Sequence, residues 1–356
     1  MKKVAIMAIT GILFFSVFTV FLPVKTCKAA SGNTLYVGGS GPGNYSNIQD
    51  AINSSNDGDM VYVHIGTYYE NLVINKKISL IGENKVTTII DGSGGENGIT
   101  ILVNWVNFSG FTVQNCEMYG IDGIEGVYMN IPSYTIINNV SSNYINVSGN
   151  IIINNDWDGI FFGSSNNNTI SSNIIENNNK SGITIWDDNN TIFGNTITGN
   201  KEFGIWLLNS KNNIVFKNAI NKNRIDGIYL DGSSCNNISE NIITDNTNGI
   251  WIGDSSQNNN ISGNTITSEH EGIRLDKCSN TKILDNNITN CIYYGIYVSA
   301  DSTNPYISED NIFANNGENI FYYPLGPSKS QTPGFELILV VCAIALVLLL
   351  KRKRIN

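Results

Sequence analysis

The residues whose type and spacing could do chemistry lie around a recurring Gly-Ile pair. Asp226 precedes Gly227, Glu271 precedes Gly272, His270 stands one place earlier and Arg274 follows two places later. Two carboxylates at equivalent positions of a repeat could serve as acid and base in the hydrolysis of a glycosidic bond. A lyase would instead need a basic residue beside calcium-holding carboxylates. Arg224 or Arg274 with Asp231, Asp254 and Asp276 offers that set, although no ligand spacing singles the three acids out. No cofactor is expected; calcium is the one that these acids could hold. Beside the acids run Trp206, Tyr229, Trp251 and Tyr297, one ring per repeat, of the kind on which sugar rings lie. These four are the expected substrate-binding residues.

The elements that must position them follow from the repeat. Gly-Ile recurs at Gly159, Gly182, Gly204, Gly227, Gly249, Gly272 and Gly295, in steps of 22 or 23 residues. Asparagine keeps the same rhythm at Asn150, Asn173, Asn195, Asn218, Asn241 and Asn264, and isoleucine at Ile170, Ile192, Ile214, Ile238, Ile261 and Ile283. Each period holds three short alternating segments, too brief and too β-branched for helices. The leucines and helical arc of leucine-rich repeats are lacking. The pattern therefore predicts an all-β, right-handed parallel β-helix with three short strands per coil. From Met60 to Phe321 there is room for about eleven coils, a rod of the order of 50 Å at the usual strand spacing.

Stacked asparagine amides would hydrogen-bond from coil to coil, and the glycine of each Gly-Ile pair is expected to permit the sharp turn. The residues one and three after that glycine, such as Ile183 with Ile185 and Ile250 with Ile252, point inward. The residue two after it points outward, giving the column Phe161, Thr184, Trp206, Tyr229, Trp251, Arg274, Tyr297. Asp158, Ser181, Phe203, Asp226, Asn248, Glu271 and Tyr294 precede the glycines and extend the same face. Asp226 and Glu271 then sit two coils apart, ~9.6 Å, at the top of the range for an inverting carboxylate pair.

The ends of the chain point outward from the cell. Lys2 and Lys3, an apolar run from Val4 to Val24, and small residues at Ala29 and Ala30 form a secretory signal over residues 1–30. At the other end Leu337 to Leu350 is unbroken apolar sequence, followed by Lys351-Arg352-Lys353-Arg354. The basic cluster should remain in the cytoplasm, leaving the rest outside. A net charge of −9 makes nucleic acid an unsuitable partner. Cys116, Cys235, Cys278 and Cys291 show no metal spacing and read as small core residues, with room for one disulfide among them.

Three resemblances add to this reading. Pro333-Gly334-Phe335-Glu336 before an apolar helix and a basic tail resembles the PGF-CTERM sorting signal of archaeal surface proteins. That resemblance implies an archaeosortase-like processing partner that removes the helix and attaches the protein to a lipid, with Pro333, Gly334 and Phe335 as the recognised tripeptide. The stretch Tyr45 to Ile52 with Gly58-Asp59, Gly66-Thr67-Tyr68 and Glu70 resembles the N-terminal region of pectin methylesterases and NosD-type β-helix proteins, within the pectin-lyase-like superfamily. It implies a helical cap and first coil over residues 31–71. The copper role of NosD-type proteins would need clustered His, Met or Cys, and this chain has two distant histidines, His64 and His270.

The face around Asp226 resembles that of polygalacturonases, whose acids precede the same kind of strand. Ile225-Asp226-Gly227 stands at the first motif and His270-Glu271-Gly272 near the third, but Thr247-Asn248-Gly249 lacks the aspartate pair of the second, and no Arg-x-Lys follows. The departure removes the central acids of that family. The sequence therefore leads to a signal at 1–30, a β-helix at 31–323, a linker at 324–332 and a sorting segment at 333–356. The expected function is a membrane-attached surface protein that contacts a polysaccharide as a binding, adhesion or structural component. A hydrolase or lyase is the alternative.

Overall fold

The computed structural model describes residues 32–324 except 94, 96, 125–141, 164 and 269. The signal segment and the tail carrying Pro333, Gly334 and Phe335 lie outside the described residues. Among those described, no helix is long and apolar enough to cross a membrane.

Three parallel sheets wind around one core. The first has twelve strands, from Thr34–Val37 to Tyr306–Ile307. The second runs from Gly66–Tyr68 to Ile312–Ala314 and the third from Leu72–Ile74 to Glu318–Tyr322, with eleven strands each. Every strand pairs with its equivalent one coil on, as in Ile183↔Ile205↔Ile228↔Ile250. The solenoid thus has about twelve turns, one more than the regular repeat suggested, because Thr34–Val37 adds a strand ahead of the first full coil.

The core is a set of aliphatic columns. Ile170, Ile192, Ile238, Ile261 and Ile283 fill one wall, Ile175, Ile197, Ile220, Ile243 and Ile266 a second, and the Gly-Ile isoleucines the third, all with essentially no exposure. β-branched side chains suit this role because each strand is only a few residues long and must present one or two stiff inward groups. The helix Ile48–Ser54 covers the open N-terminal end with Ile48, Ala51 and Ile52. Glu70 of the first coil accepts the Ile48 and Gln49 N–H groups at 2.8 and 2.9 Å, supplying the cap that the helix's own Asn47 does not.

The asparagine column is a continuous ladder. Nδ2 of Asn173 donates to Oδ1 of Asn195 at 3.0 Å, Asn195 to Asn218 at 2.9 Å, Asn218 to Asn241 at 3.0 Å, and so on to Asn311. Each rung also receives the backbone N–H of the preceding Asn and reaches a core-strand carbonyl. Two further ladders run parallel, through Asn155, Asn178, Asn200, Asn223 and Asn246 and through Asn213, Asn236 and Asn259. Buried corners of the coil would otherwise leave backbone groups unpaired.

The sharp bend is not at the Gly-Ile glycine. It falls on the residue just before a ladder asparagine, which adopts left-handed φ: Ser172 at 57°, Lys217 at 55°, Glu240 at 54°, with Gly149, Gly194 and Gly263 in the same role. The Gly-Ile glycines serve close approach instead. A Cβ on Gly204 would stand 2.5 Å from the Gly227 carbonyl oxygen and from Ile220 Cγ2, and on Gly249 2.4 Å from the Gly272 oxygen. Three of the four described cysteines, Cys116, Cys278 and Cys291, are core residues as expected; Cys235 is exposed, and all four are free thiols.

Candidate functional site: an aromatic and acidic strip on the third sheet

The strip is carried by strands Ile205–Leu208, Asp226–Asp231, Asn248–Gly253, Glu271–Leu275, Tyr294–Val298 and Glu318–Tyr322. Parallel register aligns Trp206↔Tyr229↔Trp251↔Arg274↔Tyr297↔Phe321, so one outward residue per coil forms a line along the axis. Trp206 stacks on Tyr229 with ring centroids 6.3 Å apart, and Tyr229 meets Trp251 at 5.0 Å. The Arg274 guanidinium lies between rings, 5.1 Å from the Trp251 centroid and 4.8 Å from that of Tyr297. Phe203 closes on Tyr229 at 5.0 Å from the pre-glycine position.

The column is less open than its alternation implied. Phe161 and Thr184 are buried, and Tyr229 is 8% exposed. Successive large rings at strand spacing cover one another, so the faces are spent on neighbours and edges remain. Trp206, Trp251, Arg274 and Tyr297 are half-buried. The Trp251 indole N–H is buried with no hydrogen-bond partner, and that of Trp206 faces the Asp231 carboxylate, favouring its charge, without closing a hydrogen bond.

Asp226, Asn248 and Glu271 form a line beside the rings. Asn248 Nδ2 donates to Asp226 Oδ1 at 2.7 Å, and the Glu271 backbone N–H donates to Asn248 Oδ1 at 3.3 Å. Asp226 is 0% exposed and its Oδ2 has no partner. Burial raises its pKa to about 7, against the opposing pull of the Asn248 bond and the Arg274 charge; Glu271 adds to the rise. Arg274 reaches Glu271 at 3.8 Å and Asp276 at 3.3 Å. The arrangement can hold a proton on Asp226 near neutrality while Glu271 stays beside a cation.

Farther along, Asp254 accepts from the Tyr229 hydroxyl at 2.8 Å; burial first, and then this bond, push the phenol's pKa up. Burial, and then the Asp254 charge, push Asp231 above the usual carboxylate range. Asp231, Asp254 and Asp276 do not gather into a calcium cage: among the described residues no three acidic, imidazole or thiol groups converge. Asp254 is engaged by Tyr229 and Asp276 by Arg274. Among the described residues these three acids are therefore not assembled as a metal site.

The fold brings Asp226, Glu271, Arg274, Trp206, Tyr229, Trp251 and Tyr297 onto one face. It leaves out His270, whose ring packs against Tyr293 at 5.1 Å in the exposed turn ahead of the strand. Arg224 lies in another exposed turn, lining a shallow groove with Lys222, Asp245 and Thr247. Sequence reasoning treated Asn248 as a missing acid; in the structure it is the bridge between the two acids. It also passed over Trp157 and Trp186, which extend the aromatic face through Tyr119 and Phe161. An open cleft of about 580 Å³ near the capped end, lined by Tyr36, His64 and Glu83, was missed too. There Glu83 holds His64 Nδ1 at 3.0 Å. Its residues are scattered in the irregular first coils and follow no repeat.

Coils and face together define a right-handed parallel β-helix protein. The chain belongs to the family described as the right handed beta helix region, whose pattern matches residues 136–274 and 257–330, more than half of the chain. A cell surface glycoprotein of Methanothermus fervidus is 35% identical over 103 residues, which is 28% of this chain and 16% of that protein. The chain therefore spans well under two thirds of that relative. Among solved structures, the A-module of the Azotobacter vinelandii mannuronan C-5 epimerase AlgE4 superposes with a TM-score of 0.59 at 16% identity, over 79% of this chain and 93% of that one. An alginate lyase from Paenibacillus gives 0.54 at 15%, over 81% and 99%. The Dettilon tailspike protein gives 0.54 at 16%, over 75% and 63%. At such identities these likenesses show the fold alone.

Proposed function

We propose that this chain is a cell-surface β-helix that holds a polysaccharide along the strip from Trp206 to Phe321, as a binding or structural component of an envelope. The observation that carries the reading is the register of that strip. It places one ring or guanidinium per coil in line along the axis, flanked by carboxylates that can accept sugar hydroxyls. Ring edges and carboxylate acceptors at regular spacing suit an extended hydroxyl-rich polymer. The cell surface glycoprotein relative supports the location. Export through residues 1–30 and attachment through the tail at 333–356, with membrane and archaeosortase-like partners, belong to the same proposal.

Hydrolysis is the second reading, favoured by the raised pKa of Asp226 beside Glu271. Against it, Asp226 is fully buried, so its free oxygen cannot meet a glycosidic oxygen without movement of the groups that cover it. A polysaccharide panel read for binding and for released reducing ends separates the two. Binding without release, lost in Trp206→Ala/Trp251→Ala, is the expected result. Release that disappears in Asp226→Asn/Glu271→Gln would replace the binding reading with an enzyme.

A further inference from the structure

The reading above leaves the polymer's chemistry open, and the charges around the strip bear on it. Asp231, Asp254, Glu271 and Asp276 line it within a few side chains of the rings, and Asp226 lies beneath. One cation, Arg274, stands among them, and it is already matched twice, by Glu271 at 3.8 Å and Asp276 at 3.3 Å, and sandwiched between Trp251 and Tyr297. Lys180, at the near end, is paired with Glu202 at 2.7 Å. Among the described residues, no ion pair joins a second Lys or Arg to these acids. Asp231 already has its pKa raised in part by the Asp254 charge, so the acids repel one another before any ligand arrives.

We infer that the strip selects pyranose polymers free of carboxylate and sulfate groups, with Asp231, Asp254 and Asp276 as the residues that exclude uronates. This rests on the strip being the polysaccharide-holding face. An incoming uronate would bring like charges to within a few ångströms of the half-buried Asp231 and Asp276, where screening is weak, and of the exposed Asp254 beside them. Neutral hydroxyls meet the same oxygens as donors, and the rings take their apolar faces. Discrimination is thus built from repulsion as well as from contact.

The test uses the full-length chain in detergent, with neutral soluble β-glucan, α-glucan and mannan set against alginate and polygalacturonate of matched length. Binding is measured by affinity electrophoresis and calorimetry at low salt and at about 1 M salt, where charges are screened over a few ångströms. Expected is at least tenfold tighter binding of one neutral polymer than of either uronate at low salt, a gap that narrows at high salt. In Asp231→Asn/Asp276→Asn, uronate binding should rise at least fivefold. Uronates binding as tightly as the neutral polymers, and losing that binding in Trp206→Ala/Trp251→Ala, would overturn the selectivity while leaving the strip as the site. Failure of every polymer to bind, or binding indifferent to the two tryptophans, would overturn the site and the selectivity with it.

Discussion

Asn248 stands between two acids, its Nδ2 donating to Asp226 Oδ1 at 2.7 Å and its Oδ1 accepting the Glu271 N–H at 3.3 Å. One amide thereby settles both its own orientation and which Asp226 oxygen remains free. The free oxygen, Oδ2, is buried without a partner, and a proton there relieves the charge.

The first consequence concerns pH. The Asp226 pKa is about 7 in the folded chain and near the ordinary aspartate value of ~3.9 when unfolded. The folded state binds the proton more tightly, so this group's contribution is fully present below the unfolded pKa. It is lost as pH rises through the folded one, by an amount of the order of a few kcal/mol. Asp158, also raised to about 7 by burial, acts in the same sense. Asp226→Asn keeps an oxygen to accept from Asn248 and removes the titration. Denaturation midpoints between pH 4 and 8 should be flatter in this variant and higher than wild type at pH 8.

Interrupting the ladder should cost more than one hydrogen bond. Asn218 accepts from Asn195 and donates to Asn241, to the Ile192 carbonyl and to the Phe216 carbonyl. Asn218→Ala strands several buried groups at ~1–3 kcal/mol each, so a loss of at least ~2 kcal/mol is expected in urea melts. Asn218→Asp should be worse near neutral pH, because its carboxylate replaces the donors that the Asn241 oxygen and two carbonyls require.

Two glycines should respond differently to alanine. Gly249→Ala drives a Cβ to 2.4 Å from the Gly272 oxygen and 2.3 Å from Ile266 Cγ2, and neither can retreat without separating two coils. A cost of about 3 kcal/mol is expected. Gly149 has φ +67° and open space around it. Gly149→Ala should cost only the left-handed strain of ~1–2 kcal/mol. Thermal melts of the two proteins side by side will show whether clash outweighs backbone strain.

If the strip holds a polymer, Trp251→Ala should weaken binding about tenfold, ~1.4 kcal/mol. Phe193 and Phe216 form a comparable stacked pair, 5.1 Å apart, on the first sheet. Phe193→Ala removes a similar ring from the wrong face and should leave polysaccharide affinity unchanged. Equal losses from both variants would place the contact elsewhere.

What could be read from the sequence was whatever the repeat multiplied. Ile183, Ile205 and Ile228 announce an inward column because the same demand is met coil after coil, and the asparagine ladder shows for the same reason. The bend was harder to place. Ser172, Lys217 and Glu240 share no side-chain chemistry, only a backbone angle imposed by the ladder that follows, while the conspicuous glycines answer to crowding between coils. The aromatic column was legible as a line but not in its depth. Alternation says that Tyr229 points outward and cannot say that Trp206 and Trp251 close over it. Asn248 went unrecognised because a bridge between acids has no signature apart from the acids themselves.

The amide ladders also bear on inheritance. Every rung meets its neighbours through the same two atoms, so any coil of 22 or 23 residues is interchangeable with the next at both faces. A duplication or deletion of one whole period rejoins matching rungs, whereas a gap of half a period sets isoleucine against asparagine. Length in such a chain is a variable that recombination can change one coil at a time, lengthening or shortening the rod without redesigning its core.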